Sequence, residues 1–348
     1  MKLSQFKYPI PKNLIAKVPK SPRDQCKLMV INRETGEMES KKFKDVLNYM
    51  DAGDVLVLND SKVFNARLYG TKEKTKAKIE VFLLRQLSEE ENIWDVVVDP
   101  ARKVRIGNRI FFTKNLYCEV IDNTTSRGRI VRFNYQGDFS KYIEKLGKTP
   151  LPPYIKREST EKDKDDYQTI YANDEKVGSV AAPTAGMHFT KDLLKKAEAK
   201  GVKIVFLTLH IGLGTFRLVE VEDLSKHRMD SEYYELSKET ADIINAAINK
   251  KKKVIAVGTS VARVLETNVI TSRMVRYGKG WTDKFVHPPQ TLRIVDKLIT
   301  NFYMPQSTLL MLAYAILAER DLIMKAYKKA VKREKYRFYS YGDAMMII

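Results

Sequence analysis

This sequence of 348 residues has little cysteine, histidine or tryptophan and no long apolar run. Its two cysteines, Cys26 and Cys118, lie far apart and lack metal-ligand spacing, which argues against a disulfide-rich secreted scaffold. The longest apolar run, Leu309–Ala318, is too short to cross a bilayer. No apolar segment follows the charged start Met1–Gln5, so no secretory signal is expected. These absences predict a cytoplasmic protein with no membrane partner.

What the chain has in excess is positive charge. Lys and Arg total 62 against 43 Asp and Glu, giving a formal net charge of +19. Such an excess favours a partner with many phosphates, because basic groups bound to phosphate release counterions. A lysine-rich solvated surface is the alternative. The charge therefore points to nucleic acid without excluding a non-catalytic RNA-binding protein.

The pattern of apolar residues changes twice along the chain. Asp54–Leu58 is a continuous apolar run typical of a strand buried on both faces. From about Arg67 to Tyr135, short segments rich in Val, Ile, Phe and Tyr alternate with turns, and the prolines near 150–153 predict a linker. Helix and strand patterns then alternate to the end. The sequence predicts a mixed α/β main domain built from both chain ends (1–62 and 150–348), with a small antiparallel β-barrel (63–149) inserted.

Several helices and strands of the main domain can be placed. Thr190 and Ser237 are predicted to cap helices that reach Lys200 and Asn249. The remaining predicted elements are strands Lys203–Leu209, Val254–Val257, Lys297–Phe302 and Arg337–Tyr341, a helix after Gly258 that carries Arg263 and Glu266, and helices Thr308–Ala318 and Leu322–Arg333.

Two segments concentrate glycine, hydroxyl and imidazole groups. Gly178–Thr190 contains Gly186 and His188, and Leu207–Arg217 contains His210, Gly212 and Gly214. Glycine lets the backbone approach a ligand closely, and histidine exchanges protons near neutral pH. His188 and His210 are therefore acid/base candidates, the alternative being hydrogen-bonded structural imidazoles. Gly212-x-Gly214 only weakly resembles the loop of Rossmann methyltransferases, because Thr215–Val221 looks extended instead of helical.

Many ordered short strings carry a family resemblance over almost the full length. They include Arg23-Asp24, Gly53–Ser61, Ala66–Leu68, the two glycine-histidine segments, Gly258–Ser260 with Arg263 and Glu266, Asn301-Phe302, Ser307–Leu310, Tyr336–Phe338 and Ser340–Met345. On these strings the chain resembles the S-adenosylmethionine:tRNA ribosyltransferase-isomerases of queuosine biosynthesis.

The resemblance implies a reaction. The ribosyl moiety of S-adenosylmethionine, the co-substrate, is transferred and isomerised onto 7-aminomethyl-7-deazaguanine at the wobble position of tRNA, giving epoxyqueuosine, adenine and methionine. The chemistry needs a base beside the sulfonium, an acid for the departing adenine and a cleft that excludes water. No metal is expected. The macromolecular partner is the anticodon stem-loop of tRNA, and both a monomer and a homodimer remain possible.

The resemblance also implies a set of site residues. The catalytic candidates are His188, His210 and Asp60. The cofactor-binding candidates are Arg23, Asp24, Asn59, Gly186, Gly212, Gly214, Thr215, Glu232, Thr259 and Arg263. The substrate-binding candidates are Tyr171, Arg337, Tyr341 and Asp343.

Alternatives stay open for several of these residues. Asp60 either tunes a neighbouring proton acceptor or closes an Asx turn. Arg23-Asp24 either contacts substrate or forms a structural ion pair. Gly258–Ser260 either binds an anionic group at a helix start or is a tight connection. Aromatic residues interleave with Arg337 near the C-terminus, where they form either a base-stacking surface or core.

Three positions depart from the family pattern. Asp230 and Tyr303 stand where the family usually has histidine, and Pro288-Pro289 stands where it has a Pro-Gly turn. Asp230 and Tyr303 are therefore not expected to be indispensable proton carriers.

Overall fold

The structure, a computed structural model of the chain, describes residues 2–125, 127–216, 219–271 and 273–348, with Thr215 and Phe216 described for their backbone only. The described strands are, in chain order, β1 Lys27–Ile31, β2 Met38–Lys42, β3 Val55–Asn59, β4 Lys62–Val63, β5 Arg67–Lys72, β6 Lys78–Ser88, β7 Ile93–Asp99, β8 Arg109–Thr113, β9 Leu116–Asn123, β10 Gly128–Tyr135, β11 Val177–Ser179, β12 Lys203–Leu209, β13 Glu232–Leu236, β14 Val254–Val257, β15 Gly278–Thr282, β16 Lys297–Asn301 and β17 Ala344–Ile347. The described α-helices are α1 Phe139–Leu146, α2 Asp163–Asp166, α3 Lys191–Ala199, α4 Lys238–Asn249, α5 Thr259–Thr267, α6 Thr308–Leu317 and α7 Arg320–Lys332.

The chain divides into two compact units. The α/β unit comprises residues 1–62, 152–156 and 166–348, and the barrel unit comprises 63–151 and 157–165. The segment Arg157–Asp165, expected in the main domain, thus belongs with the barrel, and so do Pro150 and Leu151. Within the Arg157–Asp165 segment, the partly buried Arg157 donates to both carboxylate oxygens of the buried Asp163 at 2.7 and 2.6 Å.

A nine-stranded mixed sheet forms the centre of the α/β unit, in the order β15-β13-β12-β3-β14-β16-β17-β1-β2. Its four middle strands, β12, β3, β14 and β16, are mutually parallel. Parallel strands are normally covered on both faces, and β3 and β14 are buried at every residue. The predicted mixed α/β class with an antiparallel barrel is confirmed.

The barrel unit closes without free edges, in the order β10-β7-β6-β5-β8-β9 with β9 paired to β10. Closure removes the unpaired strand edges that promote aggregation. Inward residues alternate with outward ones, as in β7, where Trp94, Val96 and Val98 are buried.

Helix boundaries follow the capping residues. The side chains of Thr190, Ser237 and Ser307 accept hydrogen bonds from the N–H groups of Leu193, Thr240 and Leu310 at the starts of α3, α4 and α6. Each bond satisfies one of the N–H groups that a helix start leaves unpaired. The predicted helices of the α/β unit are confirmed to within about two residues.

Two local predictions are wrong. Arg337–Tyr341 is an irregular turn, with Tyr339 at φ +71°, and the last strand is β17 instead. An extended segment was expected over Thr215–Val221, but its first two residues belong to a 3₁₀ turn, Leu213–Phe216, and positions 217 and 218 lie outside the described residues. The aromatic residues of Arg337–Tyr341 alternate as they would in a strand. They are buried in a turn instead, because rings on both sides of a tight turn can pack into the core.

Candidate active site

The site residues gather at the carboxyl edge of the parallel strands. β12, β3, β14 and β16 end there at Leu209, Asn59, Val257 and Asn301. The chain passes from β3 to β12 on one side and then crosses to β14 on the other, which makes β3 and β14 a topological switch point. Ligands of open α/β sheets bind in the crevice outside such strand ends.

One group of side chains, the His210 centre, lies where β3 and β12 end; it consists of Asp60, Ser61, Ser179, Thr208 and His210. Ile211 N–H donates to Ser179 Oγ at 2.8 Å. Ser179 Oγ lies 2.6 Å from Ser61 Oγ, which lies 2.8 Å from His210 Nδ1. The imidazole is thus held at Nδ1 by a hydroxyl chain anchored on the backbone.

The hydroxyl chain favours one tautomer of His210. If Ser179 donates to Ser61 and Ser61 donates to His210 Nδ1, every hydroxyl proton has an acceptor. In the opposite direction the Ser179 proton has no acceptor among the described residues. The favoured neutral imidazole therefore carries its proton on Nε2, to which the described residues offer no partner.

Asp60 directly follows the end of β3, whereas the carboxyl group whose charge acts on His210 is that of Glu235. Its Oδ1 accepts from Thr208 Oγ1 at 2.6 Å. Burial raises the pKa of Asp60, and the Thr208 hydrogen bond with the nearby Lys176 charge offsets part of that rise. Burial also lowers the pKa of the half-buried His210, and the Glu235 charge offsets part of that fall. The His210 centre therefore pairs a carboxyl group and a neutral imidazole with altered proton affinities, an arrangement suited to acid/base chemistry.

The second group, the His188 centre, consists of Cys26, Thr184, His188 and Asn301. Asn301 Oδ1 accepts from Thr184 Oγ1 at 2.9 Å, so its amide nitrogen faces His188 Nε2 at 3.1 Å. The amide also donates to Tyr339 O at 3.3 Å. Nε2 of His188 is therefore an acceptor, and the ring proton lies on Nδ1, 3.2 Å from Cys26 Sγ.

His188 is closed to proton exchange. Its side chain is only 5% exposed and packs against the Phe43 ring. Burial first, then the positive charges of Arg337 and Arg23, lower the pKa of His188 to about 3. Both ring nitrogens are already occupied by protein atoms, so His188 has the properties of a structural imidazole.

The two imidazoles do not converge. His210 follows β12 and His188 bonds to the end of β16, three strand positions away, which is on the order of 14 Å. Gly178 and Gly186 make room for side chains of the protein itself. A Cβ at Gly178 would lie 2.8 Å from the His210 ring, and one at Gly186 would overlap Tyr171 Oη.

Two predicted binding residues form a buried ion pair. Arg263 donates to Glu232, and both side chains are at most 5% exposed. Glu232 Oε1 also accepts from Gly212 N–H at 2.7 Å, and Arg263 Nε donates to Lys284 O at 3.1 Å. The pair therefore ties the loop after His210 to β13 and α5.

Asn59 has a similar structural position. Its amide donates to Leu209 O and its Oδ1 accepts from Leu209 N–H, both at 3.1 Å. Oδ1 also accepts from Ser61 N–H at 3.1 Å. The Asx-type hydrogen bond of this turn is therefore made by Asn59, and Asp60 is left to face Thr208.

The C-terminal candidates lie at the same edge near β1. Asp343 accepts from Lys27 N–H at 2.9 Å and from Arg337 N–H at 2.7 Å, which fixes the turn onto β1. Tyr341 is buried edge-on against Tyr167. The rings of Tyr341 and Tyr167 therefore belong to the core and offer no exposed stacking surface. One guanidinium nitrogen of Arg337 is buried without a partner among the described residues.

The other predicted positions are spread around the edge. Arg23 donates to Gln168 O at 2.5 Å, in a 3₁₀ turn that also contains Asp24. Thr259 begins α5 after Gly258. Gly214 packs against Asp230, since a Cβ at position 214 would lie 2.9 Å from the Asp230 carboxylate. Tyr171 Oη is buried with no partner among the described residues. The Thr215 side chain lies outside the described part.

A small cleft opens beyond the end of β16. Its lining combines three tyrosine rings with small and apolar residues and three hydroxyls; it consists of Tyr154, Ala181, Ala182, Thr184, Tyr303, Met304, Ser307, Leu309, Tyr339 and Ser340. This lining offers both apolar ring surface and hydroxyl groups to a small organic ligand. The segment Ser179–Ala182 joins it to the His210 centre, since Val180 N–H bonds to Ile211 O at 2.9 Å.

Sequence reasoning missed the residues that orient the imidazoles. Ser61 and Ser179 lie within the quoted segments, and their hydroxyls were the available signal. Cys26 and Asn301 were not assigned to His188, because only the fold brings positions 26, 188 and 301 together. Across the described residues, no group of three or more His, Cys, Asp or Glu side chains is arranged to hold a metal ion. Nor does the described part contain a helix long and apolar enough to span a membrane.

Comparisons with known proteins identify the family of this chain. The family model described as queuosine biosynthesis protein matches residues 3–347. The S-adenosylmethionine:tRNA ribosyltransferase-isomerases of Cytophaga hutchinsonii and Chloroherpeton thalassium are 56% and 55% identical to the chain, with 100% of each sequence covered. A crystal structure of S-adenosylmethionine tRNA ribosyltransferase from Thermotoga maritima is 34% identical, with 99% of this chain and 100% of that one covered and a TM-score of 0.55. The chain belongs to the queuosine biosynthesis protein family.

Proposed function

We propose that the α/β unit carries out the reaction named in these relatives. The ribosyl moiety of S-adenosylmethionine is transferred and isomerised onto 7-aminomethyl-7-deazaguanine at the wobble position of tRNA, with release of adenine and methionine. The formal charge of +19 suits the polyanionic acceptor.

The observation that carries this proposal is the His210 centre. Asp60 is the general-base candidate, because its carboxylate is half-buried and burial raises its pKa. His210 presents Nε2–H as a hydrogen-bond donor to the leaving group, since Ser61 occupies Nδ1. Ser61 and Ser179 are positioning residues. His188, buried with both nitrogens bonded, supports the cleft wall through Asn301 and Thr184 instead of exchanging protons.

The cleft next to this centre is the proposed site of S-adenosylmethionine. Tyrosine rings of Tyr154, Tyr303 and Tyr339 offer apolar surface to the adenosyl group, and nearby hydroxyls offer hydrogen bonds. Ser307 caps α6 at the cleft, and a helix start favours a carboxylate such as that of the methionine. The proposed reaction uses no metal, so EDTA is expected to leave turnover unchanged.

The test is incubation with S-adenosylmethionine and tRNA carrying the aminomethyl-deazaguanine. Equimolar adenine and methionine, with the ribosyl group on the tRNA, are expected. Formation of S-adenosylhomocysteine would point to methyl transfer instead. Salt-sensitive RNA binding without any release of adenine would identify a non-catalytic RNA-binding protein.

A variant that fills the cleft tests the co-substrate site separately. Ala182→Ile adds three carbons to the lining and should raise the KM for S-adenosylmethionine at least tenfold, in the range that overpacked sites show. Ala199→Ile, at an exposed position near the end of α3, is the matched control. Unchanged KM in a folded Ala182→Ile protein would place the co-substrate elsewhere.

A further inference from the structure

Three rings form a ladder that leads outward from the His210 centre. The His210 ring stacks on Tyr233 with centroids 5.8 Å apart and planes 19° apart. Tyr233 meets Trp281 edge-on, with centroids 5.6 Å apart. Trp281, at the outer end, is 54% exposed. The aromatic ladder, meaning His210, Tyr233 and Trp281, therefore connects a candidate reacting group to an exposed indole.

Strand pairing places these rings on one face of the sheet. Tyr233 of β13 lies directly opposite Trp281 of β15, and His210 N–H bonds to Tyr233 O. Along β13, Glu232, Tyr234 and Leu236 are buried and the alternate residues are partly exposed. Since successive strand residues point to opposite faces, the ladder occupies the face opposite these buried residues, which is partly exposed along β13 and at Trp281 of β15.

This face exposes an unusually large amount of aromatic surface. Phe206 of β12, on the same alternation as His210, is 38% exposed, and Tyr277 just before β15 is 59% exposed. Single exposed apolar residues are common, but a group of them beside a polar site marks an interaction surface.

The charges around the outer end favour a polyanion. Arg276, Lys279 and Lys284 are exposed close to Trp281 in sequence, against one exposed acid, Asp283. Aromatic faces flanked by basic residues are the combination that binds single-stranded nucleic acid, because bases stack on the rings while phosphates meet the cations. An apolar protein partner would not require this charge.

We propose that Trp281 and Tyr233 form the stacking platform for an unpaired nucleobase that neighbours the base being modified. This inference rests on the proposed function, since it takes tRNA as the acceptor. Stacking at the outer end of the aromatic ladder would hold the RNA strand so that the wobble base reaches His210. Trp281 is then an RNA-positioning residue with no role in binding S-adenosylmethionine.

Fluorescence offers a direct binding test, because the chain has two tryptophans. Trp94 is buried in the barrel unit, so Trp94→Phe leaves Trp281 as the only indole reporter. An unmodified anticodon stem-loop should quench this emission, whereas the same stem closed into a blunt duplex should not. Equal quenching by both RNAs, or by neither, would overturn the stacking proposal.

Kinetics of three substitutions separate stacking from simple hydrophobic contact. Trp281→Ala should raise the KM for tRNA roughly 10- to 100-fold, the range of one lost base–aromatic stack. Trp281→Phe should restore most of the affinity, whereas Trp281→Leu, apolar but without a ring, should not. The KM for S-adenosylmethionine should stay unchanged in all three. Equal rescue by Leu and Phe would refute a stacking role.

A second copy of the chain is the competing occupant of this face, because β15 is an edge strand. Sedimentation of the wild type and Trp281→Ala decides this question: a dimer that Trp281→Ala dissociates would replace the RNA proposal. The proposed function fails in a different way. If the wild-type protein quenches with the stem-loop but releases no adenine, the catalytic assignment is wrong while the platform stands.

Discussion

The two histidine centres use the same residue for opposite purposes. His188 is buried, bonded at both ring nitrogens and surrounded by positive charge. His210 is partly exposed, bonded at one nitrogen and under the influence of the Glu235 carboxyl group. An imidazole is available for chemistry only where one nitrogen is left for a ligand. Glycine-rich surroundings do not distinguish the two, because Gly178 and Gly186 make room for the protein's own side chains.

Replacing His210 should give the largest effect on turnover. His210→Ala removes the Nε2–H donor and should lower single-turnover adenine release about 10²- to 10⁴-fold, the range for a positioned proton-transfer group. His210→Gln places an amide N–H near the position of Nε2 and should recover part of that loss. Because His210→Ala also loses the Ser61 hydrogen bond and the contact with Tyr233, turnover is compared per folded molecule.

Replacing His188 by Gln tests whether the His188 centre, unlike the His210 centre, is structural. His188→Gln should unfold more readily but retain turnover per folded molecule within about tenfold, because an incompletely satisfied buried group costs about 1–3 kcal/mol. Loss of turnover on the scale of His210→Ala, in a folded His188→Gln protein, would show that the two centres were assigned the wrong way round.

The fold was largely readable from the sequence, because its signals are local. Caps at Thr190 and Ser237 and the apolar run before Asn59 place helices and strands by neighbouring residues alone. The antiparallel pairing of the barrel follows from short alternating segments. The strand predicted over Arg337–Tyr341 failed because its rings are buried by the tertiary fold, in a turn that Asp343 ties to β1.

For the site, the sequence predicted which residues take part but not how they are arranged. Asp60 and His210 are separated by 150 positions, and the sequence gives no indication that a Ser61–Ser179 chain selects one ring nitrogen. Nor does it separate Glu232 and Arg263, buried in a pair, from residues that face a ligand. Such distinctions depend on which polar atoms the fold leaves unpaired.

The pH dependence of stability provides a test of His188 that is independent of activity. Its pKa is lowered to about 3 in the folded protein, against about 6.5 in an unfolded chain. Between these values the unfolded state binds one more proton, so stability rises with pH through this window and is complete above it. The contribution of the neutral His188 to the free energy of unfolding should fall by up to about 1.4 kcal/mol per pH unit as the pH drops below 6.5.

The measurement is urea unfolding in the Trp94→Phe background, where Trp281 reports the unit that contains His188. The wild-type and His188→Gln proteins would be compared from pH 7.5 to 5. The free energy of unfolding of His188→Gln should lack the pH-dependent rise that His188 gives the wild type. Parallel pH profiles for the two proteins would mean that His188 titrates normally and is open to solvent.

The smallest expected effect concerns the orientation of His210. Ser61→Ala removes the hydroxyl that donates to Nδ1, so the imidazole should exchange between tautomers and turnover should fall about 5- to 10-fold, as expected for one lost hydrogen bond. The chain has four histidines, so His210 can be assigned by ¹⁵N NMR through its absence in His210→Gln. The wild-type ring should carry its proton on Nε2, and Ser61→Ala should show a mixture. A wild-type ring protonated on Nδ1 would reverse the direction of the hydroxyl chain, and His210 Nε2 would then accept a proton instead of donating one.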